Sequence, residues 1–116
     1  MDTIKTLVIE PLRRPELRDI DPSITAIGKT IGGYAEPLPL DRRTTLWCDE
    51  EGAIKNLKPN RTIRLSQDSR LADAGKPIII RGTFVITGPH PQDGPLGLDD
   101  EQIGRYAAMF ADPEAP

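Results

Sequence analysis

The sequence predicts an α+β fold: one small domain with a mostly antiparallel sheet of about five strands and two helices packed on it. Two long apolar runs rich in β-branched residues, at 3–10 and 77–87, predict strands that lie inside the sheet. Capping patterns near residues 21 and 99 predict one helix each. A length of 116 residues suits a single domain spanning 1–116.

The first strand is expected at 3–10, and residues 17–20 are expected to return beside it as a short second strand after a turn at 11–15. Asp21 suits the N-cap of the first helix, and Pro22 suits its first helical position. The isoleucines at 24, 27 and 31 then form one apolar stripe.

Gly32 and Gly33 favour the end of this helix, because glycine adopts the left-handed cap conformation without steric cost. The alternative is a loop that approaches a ligand. Residues 34–40 are expected to be extended. Pro37 and Pro39 remove two N–H groups from the same side, which predicts an edge strand. One face of it carries Tyr34, Glu36, Leu38 and Leu40.

The middle of the chain predicts a hairpin, in which a strand at 44–48 turns through 49–52 and returns as a strand at 53–57. Residues 59–61 are expected to start a helical turn or a tight loop, and 65–76 are expected to be an exposed loop. The apolar run at 77–87 is predicted as one strand beside the first, with a bulge or close backbone approach at Gly82.

The last helix has a complete N-terminal signature. Asp99 is the expected N-cap, Gln102 its capping-box partner, and Leu98 is positioned to contact Ile103. Its apolar face is expected to carry Ile103, Tyr106, Ala107 and Phe110. Residues 111–116 are predicted to be a frayed C-terminal tail.

Composition bounds the class of function. The net charge is −3, and from residue 91 onward six acidic residues accompany one base, Arg105, so nucleic-acid binding is unlikely. One cysteine excludes an internal disulfide framework. The sequence has no apolar run long enough to span a membrane and no signal-peptide pattern, which favours a cytoplasmic location and no membrane partner.

No complete catalytic, metal or cofactor constellation is present in the sequence, so we expect no catalytic residues, no metal site and no cofactor. Cys48 with His90 is conceivable as a nucleophile and base, but a buried, inert thiol is the favoured interpretation. Trp47 is expected in the core. A carboxylate-only cation site at 49–51 lacks any known loop spacing.

Six residues are the predicted ligand-binding set. They are Gly33, Tyr34, Glu36, Asn60, Arg61 and Arg64. Tyrosine is a common interface residue, asparagine pairs with polar edges, and arginine forks onto phosphate or carboxylate. The alternative for Asn60 is the cap of a short helix, and for Arg61 an internal ion pair with Glu50 or Glu51.

Several motifs occur in a recognisable order: a first strand ending in Glu-Pro, GGY with a following glutamate, CDEEG at 48–52, PNR at 59–61, GTFVITG at 82–88 and LDDEQI at 98–103. Together they resemble the domain of unknown function 3846 family over roughly residues 4–110. The family occurs largely in bacteriophages and mobile or conjugative elements. The resemblance implies a small accessory protein of such an element, and it carries no catalytic assignment.

The expected function is that of a non-catalytic accessory protein with a host-takeover or anti-defence role. Its partner would be a host protein or a small anionic, nucleotide-like ligand. The alternatives are an oligomeric structural or interaction protein, which allows a homo-oligomer, and a hydrolytic enzyme built on carboxylates and arginine.

Overall fold

A computed structural model describes residues 2–65, 76–91 and 94–114, and within these ranges the chain forms seven strands and two helices. Their bounds are β1 Ile4–Ile9, β2 Glu16–Ile20, α1 Ile24–Ile31, β3 Ala35–Asp41, β4 Thr44–Asp49, β5 Pro59–Arg64, β6 Pro77–Arg81, β7 Phe84–Thr87 and α2 Asp100–Met109. Neither of these two helices has the length and hydrophobicity to cross a membrane.

The main sheet has five antiparallel strands in the order β2-β1-β7-β4-β3, and β5 and β6 form a separate two-stranded sheet. The predicted α+β fold is therefore confirmed, with the small second sheet as an addition. β7 lies between β1 and β4, in register through Leu7 with Ile86 and Leu46 with Ile86. This confirms the central position predicted for the first strand and its pairing with the second apolar run.

Each central strand is buried on both faces, which explains its continuous apolar sequence. In β4, Trp47 packs with α1 on one face, in a cluster that includes Ile27 and Val85. Leu46 and Cys48 point to the other face, where they join residues of β5, β6 and α2. The sheet is thus the middle layer between α1 and a second layer made of the small sheet and α2.

The first helix begins later than predicted. Ser23, not Asp21, is its N-cap, and its hydroxyl accepts a hydrogen bond of 3.1 Å from the backbone N–H of Ala26. Ile24 faces outward and is 56 % exposed, so only Ile27 and Ile31 of the predicted apolar stripe face the core. The helix ends at Gly32 as predicted, with φ of 86° in the left-handed region.

The edge strand predicted at 34–40 is confirmed as β3, the last strand of the sheet order. Two residues of its predicted face point to the core, since Leu38 is in the core cluster with α2 and Leu40 packs against that cluster. Tyr34 precedes the strand and is exposed beside α1 instead. The second helix follows its prediction as well, with the complete capping box between Asp99 and Gln102. Tyr106 and Phe110 lie in the core, and Ile103 and Ala107 pack against it.

The predicted hairpin through 49–57 is wrong. Residues 53–57 form no strand; instead the chain coils, with Lys55 N–H donating to Glu51 O and Leu57 N–H donating to Gly52 O. The cause is Asp49, whose carboxylate accepts the backbone N–H of Glu51 at 2.8 Å and so bends the chain immediately after β4. The partners of β4 are β3 and β7 instead.

Two further predictions are corrected. Residues 59–61 start strand β5 instead of a helical turn or loop. The run 77–87 is two strands in different sheets, because the chain turns at Gly82, with φ of 78°. The loop predicted at 65–76 begins with Leu65, which is buried; its residues 66–75 lie outside the described part of the chain. In the tail, residues 115 and 116 also lie outside it.

Candidate functional site

Asn60 is an interior link between the two sheets. Its side-chain amide donates to the carbonyl of Ile9 in β1 at 2.8 Å and to the carbonyl of Gly82, between β6 and β7, at 2.9 Å. Its side-chain oxygen, Oδ1, accepts from the guanidinium of Arg61 at 2.8 Å. The residue is 1 % exposed, so it neither caps a helix nor faces a ligand.

Arg61 is also 1 % exposed, and its guanidinium binds backbone carbonyls instead of Glu50 or Glu51. One terminal nitrogen donates to Arg13 O at 2.7 Å and to Phe110 O at 2.9 Å. Phe110 follows α2, where the helix dipole favours a positive charge. Arg61 therefore connects the β1–β2 turn, β5 and the end of α2.

Burial lowers the pKa of Arg61, and the carboxylates of Glu114 and Asp112 oppose that effect. Nε of Arg61 is buried without a hydrogen-bond partner among the described residues. An unpartnered N–H in the interior costs free energy, so the other guanidinium contacts must offset it. The PNR motif is consequently a structural network in this fold.

A second group of polar contacts centres on Asp49, whose side chain is 2 % exposed. Its carboxylate accepts from Lys55 Nζ at 2.9 Å and from Glu51 N–H. Burial raises the pKa of Asp49, but these hydrogen bonds outweigh it and hold the pKa below its usual value. Asp49 is therefore ionised in the fold and fixes the coil that follows β4.

The close approach of Asp49 explains why position 33 is a glycine. A Cβ atom on Gly33 would lie 2.3 Å from Oδ2 of Asp49 and 3.0 Å from Nζ of Lys55. Only a residue without a side chain leaves room for this ion pair. The GGY and CDEEG motifs of the sequence thus meet in one packed contact.

Tyr34 follows Gly33 and therefore lies next to that contact. Its backbone carbonyl accepts from Glu50 N–H at 2.9 Å, while its side chain is 74 % exposed. It lines a surface pocket of about 450 Å³ together with Gly33, Ile24 and Lys29. We name Ile24, Lys29, Gly33 and Tyr34 the Tyr34 surface. It combines two exposed apolar side chains with one exposed cation.

Glu36 and Arg64 occupy different positions from the residues above. Glu36 is half-buried on β3, opposite Cys48 in the register. Arg64 is exposed on β5 and lines a groove beside α2. The six predicted residues are therefore distributed over the Tyr34 surface, the interior, the outer part of β3 and the β5 groove, instead of forming one pocket.

Cys48 and His90 do not form a catalytic pair. Cys48 is buried on the α2 side of the sheet, and burial raises the pKa of its thiol to about 12. The ring of His90 packs edge-on against Trp47, at 5.0 Å between centroids, and Trp47 faces the α1 side. The predicted burial of the Cys48 thiol is confirmed. No metal-binding group of His, Cys, Asp and Glu occurs among residues 2–65, 76–91 and 94–114.

Sequence reasoning missed the groove between β5 and α2, which has a volume of about 410 Å³. Thr62 on β5 donates both its backbone N–H and its hydroxyl to the carboxylate of Glu114, at 2.9 and 3.0 Å. Near the far side, the hydroxyl of Tyr106 donates to Asp41. Thr62 and Glu114 are 52 residues apart, so no local pattern could signal their contact.

Comparison with known proteins gives one match. No curated protein and no solved structure matches the chain. A family model matches residues 4–111, nearly the whole chain, and therefore includes the Asp49 contact, the Asn60–Arg61 network and both helices. The chain belongs to the family described as Domain of unknown function (DUF3846).

Proposed function

We propose that this chain is a small, non-catalytic accessory protein of a phage or mobile element that binds a host protein, in a host-takeover or anti-defence role. The observation that carries the proposal is the exposure of Tyr34, 74 %, on a rigidly held backbone. Its neighbours in the GGY and CDEEG motifs have internal partners. Tyr34 is the exposed aromatic side chain of these motifs, in which Gly32 and Glu50 are also exposed.

The Tyr34 surface has the composition of an interaction site. Tyrosine supplies a large contact area with little loss of side-chain entropy, and such residues frequently dominate binding energy. Ile24 adds an exposed apolar side chain, and Lys29 is an exposed cation on the same pocket. A complementary partner would insert an apolar side chain beside Tyr34 and set a carboxylate near Lys29.

A protein partner is favoured over a small anionic ligand. Of the polar residues on which the anion hypothesis relied, Asn60 and Arg61 are 1 % exposed and donate to backbone carbonyls, and Arg64 is exposed on the separate β5 groove. The enzyme alternative relied on Glu36, Glu50 and Arg61. Arg61 is not accessible to a substrate, so this alternative loses its cation.

The edges of the main sheet disfavour a homo-oligomer formed by strand addition. β3 carries Pro37 and Pro39 at one edge, and β2 carries Glu16, Arg18 and Asp19 at the other. Prolines and charged residues at edge strands are the usual protection against strand pairing. Self-pairing of β2 centred on Arg18 would set two arginines opposite each other, which is repulsive.

The experiment is capture of partners from host lysate by the tagged chain, by Tyr34→Ala and by the matched control Leu17→Ala. Leu17 is an exposed apolar residue of β2, away from the Tyr34 surface. We expect a protein captured by the wild type and by Leu17→Ala to be lost, at least tenfold, with Tyr34→Ala, since truncating an interface hot spot costs about 2 kcal/mol or more. Both variants should keep the wild-type denaturation midpoint.

Equal capture by Tyr34→Ala and wild type would overturn the proposal. Calorimetry against a panel of nucleotides tests the small-anion alternative, in which heat would be released without any protein partner. Light scattering at high concentration tests the homo-oligomer alternative, for which a mass above one chain is required.

A further inference from the structure

The groove between β5 and α2 is a second surface, distinct from the Tyr34 surface. Its volume is about 410 Å³, and most of its lining is apolar, including Leu40, Ile63, Met109 and Phe110. Small-ligand pockets have volumes of about 300–1,000 Å³ and combine apolar walls with a few polar groups. The groove fits that description, and its polar lining consists of Thr62, Arg64, Tyr106 and Glu114.

Thr62 is the polar residue of the groove that contacts Glu114. It lies opposite Ile79 in the β5–β6 register, yet its N–H donates to Glu114 and not to β6. The N–H therefore points out of the edge of the small sheet. The hydroxyl of the same residue donates to the other oxygen of the carboxylate. One residue thus offers two parallel donors, an arrangement that matches a carboxylate.

The positive charge of Arg61 lies next to Thr62 in β5. The guanidinium of Arg61, in the adjacent position of β5, has backbone carbonyls and the side-chain oxygen of Asn60 as its hydrogen-bond partners. Glu114 is the carboxylate that most opposes the lowering of the Arg61 pKa by burial. A carboxylate bound to Thr62 is consequently favoured by hydrogen bonds and by the field of a buried cation.

We propose that the β5–α2 groove binds a small carboxylic acid with a short, unbranched apolar chain, and that Glu114 is a built-in competitor for its polar end. The ligand carboxylate takes the two donors of Thr62, and the apolar chain lies along Ile63, Met109 and Phe110. Binding requires the Glu114 side chain to leave, which is feasible because this residue is exposed and held only at its carboxylate. The inference goes beyond the proposed function and does not depend on Tyr34.

The test is an NMR titration of ¹⁵N-labelled wild-type chain and Glu114→Ala with butyrate, hexanoate and octanoate. In Glu114→Ala, we expect saturable shifts of the Thr62 amide and of groove residues. Affinity should rise up to about fourfold for each added methylene that enters the groove, from roughly 0.8 kcal/mol per buried CH₂. In the wild type, affinity should be at least fivefold lower, because an attached carboxylate has a high effective concentration.

Two controls separate recognition of the carboxylate from apolar contact. Hexanol has the chain without the carboxylate and should bind at least tenfold more weakly than hexanoate. Thr62→Val, placed in the Glu114→Ala chain, keeps the β-branched shape but removes the hydroxyl donor, and should weaken hexanoate severalfold.

The proposal is overturned if Glu114→Ala shows no saturable shift with any of the acids, or if hexanol binds as well as hexanoate. Equal affinity of the wild type and Glu114→Ala for hexanoate would overturn the competitor role. Tighter binding of the hexapeptide ADPEAP, the sequence of residues 111–116, than of octanoate would assign the groove to acidic protein segments instead.

Discussion

Gly33→Ala gives a direct test of the contact between the GGY and CDEEG motifs. A Cβ atom at this position would lie 2.3 Å from Oδ2 of Asp49 and 2.7 Å from its Cγ. Ordinary van der Waals contact begins near 3.4 Å, so the Asp49 carboxylate must retreat by about 1 Å. That displacement breaks its 2.8 Å hydrogen bond from Glu51 N–H and its bond from Lys55.

The expected loss of stability follows from these two effects. Overpacking a filled site costs about 1–3 kcal/mol, and losing a hydrogen bond to a buried charged acceptor costs about 1.5–3 kcal/mol. Since relaxation relieves part of each, we expect Gly33→Ala to lower the free energy of unfolding by about 2–4 kcal/mol. Urea denaturation followed by the fluorescence of the buried Trp47 measures it.

Gly32→Ala is the matched control. A Cβ atom there meets nothing within 4 Å, and the cost comes only from the positive φ of 86°. It should be about 1–2 kcal/mol. The distinguishing measurement is a double-mutant cycle with Asp49→Ala. In that background Gly33→Ala should cost less than about 0.5 kcal/mol, whereas Gly32→Ala should cost the same as before. Additive behaviour of Gly33→Ala and Asp49→Ala would refute the steric argument.

Three further outcomes are expected. Asn60→Ala should lower the free energy of unfolding by about 2–4 kcal/mol, because the carbonyls of Ile9 and Gly82 lose their donor. Urea denaturation measures this loss, with the exposed residue Lys58 changed to alanine as the control. An equal loss of stability in the two variants would contradict the prediction. Asp49 should stabilise the fold above its unfolded pKa of about 3.8 and lose that contribution as the pH falls through its lower folded pKa. The difference in the free energy of unfolding between wild type and Asp49→Asn, measured from pH 6 down to pH 2.5, should therefore shrink below about pH 4. A difference that stays constant over this range would count against the role of Asp49. Cys48, with a pKa of about 12, should react with iodoacetamide at pH 8 at least ~100-fold more slowly in the native chain than in urea; comparable rates would show that the thiol is not held in the core.

Several predictions that depend only on neighbours in the sequence were confirmed, although the hairpin predicted through 49–57 was wrong. Gly32 ends α1, Asp99 and Gln102 form the capping box, and Pro37 and Pro39 mark β3 as an edge. Each of these requires only a few consecutive residues and the local rules of hydrogen bonding. The same rules place the helix start only approximately, since Asp21 and Ser23 are both good caps.

Predictions for polar residues whose partners are distant in the sequence failed. Asn60 looks like a turn residue, but its acceptors lie 51 and 22 positions away. Arg61 looks like a ligand for an anion, but its acceptors lie 48 and 49 positions away. The long apolar run at 77–87 gives no sign that Gly82 divides it between two sheets. A polar residue with a suggestive type is therefore ambiguous until its burial is known.

The position of β7 between β1 and β4 has a consequence for how the chain acquires its fold. β7 is the last strand in the sequence, yet it holds the two halves of the main sheet together. Before it is present, β1–β2 and β3–β4 are two separate hairpins, each marginal by itself. Since the central pairs join residues far apart in sequence, loop-closure entropy opposes them and folding is expected to be slow. On a ribosome, the main sheet can close only after residues 84–87 have emerged, so both flanking hairpins are made before its central strand.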